Sequence, residues 1–197
     1  MIQVTTPPAT EPVTLQEAKN QLRLFHNDED TIIGSYIKAA RQYCEEVQNR
    51  AYISQDILYT INHWPSRPRI LLPRPPLIEV FSIYYFDREN VPNPVDPAIY
   101  EVDADSEPAV IMLNENETWP TEPLRPYNAI KITYRAGYGA ADDVPFTVKQ
   151  AIMFLVAHYY ENREEVAARG HIPQIMPMAA RHLLNMDRVS WTEDFNK

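Results

Sequence analysis

With one cysteine, Cys44, the chain cannot close an internal disulfide, so nothing in it demands an oxidising compartment. Glycine is nearly as scarce: four glycines stand against 18 prolines, a ratio that favours rigid extended connections over flexible hinges. Neither G-x-x-x-x-G-K-[ST] nor G-x-G-x-x-G occurs, which removes the common phosphate-cradling loops. No apolar run approaches the roughly 20 residues that a membrane helix needs. The first residues, MIQVTTPPATEP, lack the basic start and apolar centre of a signal peptide, so synthesis in the cytoplasm is expected. Positive charge is also short. Lys and Arg number 18 against 27 Asp and Glu, and the net charge of −9 argues against tight binding to phosphate backbones.

What remains is ordinary globular material, 45% hydrophobic over 197 residues, enough for one domain spanning 1–197 with a real core. The strongest local signal is residues 144–165, VPFTVKQAIMFLVAHYYENREE. Asp143 stands where an N-cap belongs, Pro145 suits a first turn, and Val148, Ala151, Ile152, Leu155, Val156 and Tyr159 share one face at helical spacing. Met153, Phe154 and Tyr160 fall outside that face, which leaves two readings open: a helix sunk in its own domain, or one that also meets a neighbouring subunit. Upstream, Thr14 and Glu17 read as a capping box opening a short helix to about residue 24. A second helix is expected from the acidic turn Asp28, Glu29, Asp30 to about residue 49, with Cys44 on its buried face.

From residue 51 the period becomes alternating. Strand candidates are 53–64, 70–72, 77–87, 99–103, 109–113 and 129–136; in the last, Ile130, Ile132 and Tyr134 alternate with Lys131, Thr133 and Arg135, as a half-buried antiparallel strand requires. Residues 1–12 read as an extended arm, 72–77 (LPRPPL) as a crossing at a sheet edge, and 87–97 and 114–126 as long loops. Gly137 and Gly139 join the last strand to the long helix and are expected to serve backbone geometry. The class is therefore α+β.

Few constellations carry chemistry. His158, Glu161 and Glu165 lie on neighbouring helical positions, and the histidine with a carboxylate is a possible metal pair, but no second histidine-containing pair accompanies it. Asp28, Glu29 and Asp30 are explained by the helix dipole. Ser35 sits inside a helix, far from any G-x-S-x-G elbow. Arg67, Arg69 and Arg74 are the one concentrated basic segment, read as a solvated face or a partner for an acidic neighbour. No catalytic, cofactor-binding or metal residue is therefore assigned, with two alternatives kept: a small metal-dependent hydrolase using His158 and Glu161, and a monomeric ligand-binding module built on the β-rich region. A last short helix, 178–186, leads into a tail, 187–197, in which Val189, Trp191 and Phe195 extend the apolar edge of Leu183, Leu184 and Met186. Exposed aromatics on such a tail suggest docking to a partner, with Met186, Val189, Trp191 and Phe195 as the contact set.

The order TLQEAKNQLRL, DEDTIIGSYIKAARQYCEEVQNRAYISQ, ILLPRPPLIEVFSIYYFD, AIKITYRAGYG, VPFTVKQAIMFLVAHYYENRE and IPQIMPMAARHLL, covering about residues 7–186, resembles the phage head-tail connector family. These are adaptor proteins that form a ring under the portal of tailed bacteriophages and gene transfer agents. The resemblance implies a helical bundle core (about 14–49 and 144–186) with an inserted antiparallel β-rich region (about 51–136) and an extended C-terminal tail. It implies a homo-oligomeric ring, usually twelve-fold, partnered by the portal protein and by a downstream stopper or tail-terminator protein. DNA would pass through the channel without tight binding, and no membrane, enzyme activity or cofactor is implied. Met153, Phe154 and Tyr160 then become candidates for the subunit interface.

Overall fold

The polypeptide alternates helical and extended stretches in the order the sequence pattern expects, and a computed structural model describes residues 1–163 and 176–190. Among the described residues eight strands and four α-helices follow one another: β1 (Ile2–Thr6), α1 (Leu15–Leu22), α2 (Asp30–Gln48), β2 (Gln55–Ile61), β3 (Arg69–Leu71), β4 (Leu77–Phe86), β5 (Pro92–Pro94), β6 (Tyr100–Asp103), β7 (Val110–Leu113), β8 (Ile130–Ala136), α3 (Phe146–Glu161) and α4 (Met178–Met186). The fold is mixed α+β with antiparallel pairing throughout. Two compact units divide the chain. One holds Met1–Ala9, Asn49–Tyr138 and, among the described residues, Val189 and Ser190; the other holds Thr10–Gln48 and the described part of Gly139–Arg188.

In the first unit a five-stranded sheet runs in the order β1-β2-β8-β4-β5, and a three-stranded sheet in the order β3-β7-β6. The central strand β8 puts Ile130, Ile132, Tyr134 and Ala136 on the core side, opposite Ile61, Tyr59, Ile57 and Gln55 of β2. Ile83 of the neighbouring β4 lies beside Ile132, and Ile70, Leu72 and Ile111 join the same core, so burial removes whole branched side chains from water, about 1.5–3 kcal/mol for each. Trp64 and Trp119 stack with ring centroids 4.8 Å apart and planes nearly parallel, and Tyr85 meets Trp64 edge-on. The buried Tyr134 hydroxyl donates to the Pro73 carbonyl at 2.5 Å, giving the proline-rich crossing a fixed anchor.

Two strands exceed the expectation. Residues 2–6, read as an arm, pair with β2, and Met1 donates its amino group to the Thr60 carbonyl at 2.9 Å. The three-residue β5, with Pro92 and Pro94 at its ends, forms the opposite edge. Proline is tolerated there because an outermost strand has one side without ladder partners.

In the second unit the Thr14 capping box forms as read: the Glu17 amide donates to Thr14 Oγ1 at 3.2 Å, and the Thr14 amide donates to Glu17 Oε2 at 2.7 Å. Ile33, Ile37, Ala40 and Cys44 of α2 are buried together with Val148, Ala151, Ile152, Leu155 and Val156 of α3 and Ala180 and Leu184 of α4. Gln48, also buried, donates to the Leu184 carbonyl at 2.8 Å. The helix start differs from the sequence reading. Asp143 closes a 3-10 turn (Ala141–Asp143) and accepts from the Ala140 amide, and α3 begins after Pro145 with no side-chain cap. Proline's fixed φ and missing donor suit it to that boundary. No described helix is long and apolar enough to cross a membrane.

Candidate assembly surfaces

The outer side of α3 is set by the same periodicity that buries its inner side. From Phe146, at about 100° per residue, Gln150, Met153, Ala157 and Tyr160 form a stripe opposite the buried one, with Phe154 at its edge. Its own four members are uncharged, while Glu161 falls between Gln150 and Phe154 on the wheel and Lys149 borders Tyr160. Met153, Phe154 and Tyr160 are each half-buried within this chain, while Phe146, which sequence reading did not single out, is 73% exposed. Its position at the first turn could have been found by extending the helical wheel one turn backwards. Tyr160 also has an internal role: its hydroxyl donates to Glu29 Oε2, and Arg163 donates to Glu29 Oε1 at 2.6 Å while stacking over the Tyr160 ring.

The acidic turn before α2 is occupied by partners from its own unit. Asp30 accepts from Lys19 Nζ at 2.7 Å, Glu29 takes Tyr160 and Arg163, and exposed Asp28 lies 3.7 Å from the His26 ring. His158 faces the Asn162 amide nitrogen at 3.3 Å from Nδ1, Glu161 is exposed, and Glu165 lies outside the described residues. Among the described residues no group of three or more His, Cys, Asp or Glu side chains is placed to hold a metal ion. Ser35 donates to the Thr31 carbonyl one turn back. Burial pushes the Cys44 thiol up to about 12, so it stays protonated at neutral pH.

The C-terminal set is divided. Met186 is 63% exposed at the end of α4, whereas Val189 is buried in the first unit, where Asn49 Nδ2 donates to its carbonyl at 3.0 Å. Trp191 and Phe195 lie outside the described residues.

The outer face of the five-stranded sheet holds a cluster that sequence reading missed. Lys131 pairs across the sheet with Tyr84, Phe86 lies two residues further along β4, and the loop residue Arg125 reaches the same place. Arg125 Cζ sits 3.9 Å from the Phe86 ring centroid and Lys131 Nζ 5.1 Å from it, a double cation-π arrangement. Arg125 donates to Asn90 Oδ1 and to the Asn128 carbonyl, both neutral. Arg135, over the Phe81 ring, instead pairs with Asp56 at 2.8 Å, which lowers the Asp56 carboxyl pKa. The arginines singled out earlier are unequally exposed: Arg67 is exposed, while Arg69 and Arg74 are half-buried.

In the same unit, the stretch from Glu89 to Leu124 contains no Lys or Arg. Within it β6 is an outermost strand, and Glu101 and Asp103 share a side with Met112 of β7. Both carboxylates are exposed. Asp103 accepts from the Ser106 hydroxyl and from the backbone amides of Ser106 and Asp105, and these hydrogen bonds lower its pKa.

Set beside known structures, the chain matches a chain from the neck of an empty gene transfer agent particle computed with C6 symmetry, with a TM-score of 0.80, 23% identity and full coverage of both chains. A chain from the neck of the native particle computed with C12 symmetry gives a TM-score of 0.79 at 23% identity, again with full coverage of both. A chain from the virion of the native gene transfer agent particle gives 0.79 and 23%, covering 98% of this chain and 97% of that one. At this identity the likeness is one of fold. No curated protein matches the chain. The family model for the head completion protein matches residues 11–188, nearly the whole length, and the chain belongs to that family.

Proposed function

We propose that this chain is a structural virion protein, a head-tail connector that assembles into a homo-oligomeric ring below the portal protein. The ring extends the DNA channel and offers a docking surface to a stopper or tail-terminator protein. The observation that carries this reading is the largely apolar outer stripe of α3, with Phe146 73% exposed and Met153 and Phe154 half-buried. A chain of net charge −9 that leaves such a stripe on the side of α3 away from its own core gains by covering it with a neighbouring copy.

The helices act as a bundle core for the ring and the β-rich region as the insertion on it, the whole of 1–197 working as one adaptor domain. Family membership and the fold shared with chains of gene transfer agent necks computed with C6 and with C12 symmetry support a place in the neck and a ring, and twelve is the number of copies this reading adopts. The excess of carboxylates supports a channel that repels phosphate, so that DNA passes without being held. Met186, Trp191 and Phe195 are assigned to portal docking, with Val189 as the point where the tail is fixed to its own subunit. No catalytic step is assigned.

The test is electron-microscopic imaging of the purified protein mixed with its cognate portal, for the wild type and for Phe154→Asp. Rings stacked on the portal in the wild type, lost in a variant with native circular dichroism, are expected, because a charge buried without a partner costs several kcal/mol. Wild-type protein that never forms rings with the portal overturns the connector reading. A folded Phe154→Asp that completes rings moves the interface away from α3.

A further inference from the structure

Two cations share the Phe86 ring with no carboxylate to balance them. Among the described residues neither Arg125 nor Lys131 has an ion-pair partner, although the chain as a whole is strongly acidic. The two like charges repel each other while the ring attracts both, and an anion placed between them would relieve that repulsion. The ring fixes the Arg125 guanidinium plane, and the bonds to Asn90 and Asn128 fix its rotation, so the patch is ordered before any anion binds. Beside it Tyr84 leaves an aromatic surface 40% exposed.

The chemistry that fits is a pair of carboxylates flanking a small apolar side chain. The chain itself presents that arrangement on β6 and β7. Glu101 and Asp103, two residues apart, project to the same side about 7 Å from each other, next to the exposed Met112. Methionine sulfur packs well against an aromatic ring such as Tyr84. No ion pair among the described residues joins strip and patch within one molecule.

We infer that the Phe86, Arg125, Lys131 patch of one subunit receives the Glu101, Asp103 strip of β6 from a second copy. Copies carrying −9 each repel one another overall, and a local contact of opposite sign offsets that repulsion, which this pair of surfaces supplies. Patch and strip are different surfaces, which makes the contact head-to-tail, the type that closes into a ring. The inference rests on the ring reading proposed above and adds to it a second, electrostatic contact.

The experiment is sedimentation velocity on full-length protein at low and moderate salt, comparing wild type, Lys131→Glu, Glu101→Lys, the double variant, and an equimolar mixture of the two single variants. Each single reversal sets like charges face to face and should weaken self-association about tenfold or more. The mixture should recover, because the carboxylate introduced on the patch of one copy then meets the ammonium introduced on the strip of the next, and the native pair meets at the alternate junction. The double variant should recover alone. Rings that form equally well in all variants overturn this contact and leave the connector reading intact. So do single variants that lose assembly and regain it in neither the mixture nor the double variant. Wild type that stays monomeric at its highest soluble concentration overturns the contact as sufficient for association, while imaging with the portal still decides the connector reading. Salt-sensitive binding of duplex DNA that Lys131→Glu abolishes would reassign the patch to phosphate and overturn the proposal.

Discussion

Tyr160, in the last turn of α3, donates its hydroxyl hydrogen to Glu29, in the turn that opens α2. The bond holds the end of one helix against the start of another, and Arg163 completes the arrangement on the second oxygen of the same carboxylate. The Tyr160 hydrogen bond, then Arg163, hold the Glu29 carboxyl below its usual range. A carboxyl with a depressed folded-state pKa contributes stability that is fully present above its unfolded value and disappears as pH falls through the folded one. Tyr160→Phe should therefore lower the melting temperature slightly at neutral pH and leave it unchanged in strong acid, where Glu29 is protonated in both proteins. Thermal melts across an acid-to-neutral series check this; a difference that persists at the acid end would show that packing of the ring, not the hydrogen bond, matters. Both partners keep contact with solvent, so the expected effect is small.

A buried ion cluster offers a larger effect. Arg41 donates from Nε to Glu11 and from Nη1 to Glu45, both at 2.6 Å, and the Arg41 and Glu45 side chains are only 4% and 6% exposed. Burial opposes the Arg41 charge, but Glu11 and Glu45 outweigh it and the pKa is raised. Arg41→Ala removes the guanidinium that faces the buried Glu45 carboxylate and should cost about 3 kcal/mol. Urea unfolding at neutral pH measures it. Arg41→Met combined with Glu45→Leu should recover most of the loss, since the remaining carboxylate, Glu11, keeps contact with water.

The two glycines at the junction after β8 separate backbone from side-chain constraints. Gly137 has φ +132°, and a Cβ there would lie 2.6 Å from the Ile53 carbonyl carbon and oxygen. Backbone cannot step aside, so Gly137→Ala should lose about 1–3 kcal/mol from strain alone, and more from the clash. Gly139, at φ +124°, would place its Cβ 2.6 Å from the Asp143 carboxylate, a side chain able to rotate away at the expense of its bond to the Ala140 amide. Chemical denaturation should therefore rank Gly137→Ala as the more damaging substitution. The reverse order would mean that the Asp143 turn governs the junction.

The parts of this fold legible in the sequence are those decided locally. The Thr14 capping box, the buried face of α3 and the alternation in β8 each need only a few neighbouring residues to specify them. Residues 2–6 were unreadable because nothing in IQVTT distinguishes an arm from an edge strand until β2 lies beside it. Pro92 and Pro94 argue against a strand anywhere except an edge, and which strand is outermost is a tertiary fact. The basic patch was hidden for the same reason: Phe86 is far along the chain from Arg125 and Lys131, and only the sheet register and a loop bring them to one ring. The arginines that cluster in sequence, Arg67, Arg69 and Arg74, are by contrast unequally exposed.

The C-terminal end gives the last prediction, and the structure changes how it must be made. A cut after Met186 removes Trp191 and Phe195, but it also removes Val189, which is 8% exposed and whose carbonyl accepts from Asn49. Such a truncation mixes loss of a docking segment with loss of a buried valine, worth about 1.5–3 kcal/mol. A cut after Ser190 keeps Val189 and its hydrogen bond while deleting both aromatics. The Ser190 truncation should melt like the full-length protein, the Met186 truncation several degrees lower. If the aromatics dock to the portal, both should fail equally to decorate portal-bearing heads, since two large rings lose their pockets in each case. If instead the Ser190 truncation decorates heads as well as full-length protein does, docking lies elsewhere, and any defect of the shorter protein reports only the loss of Val189.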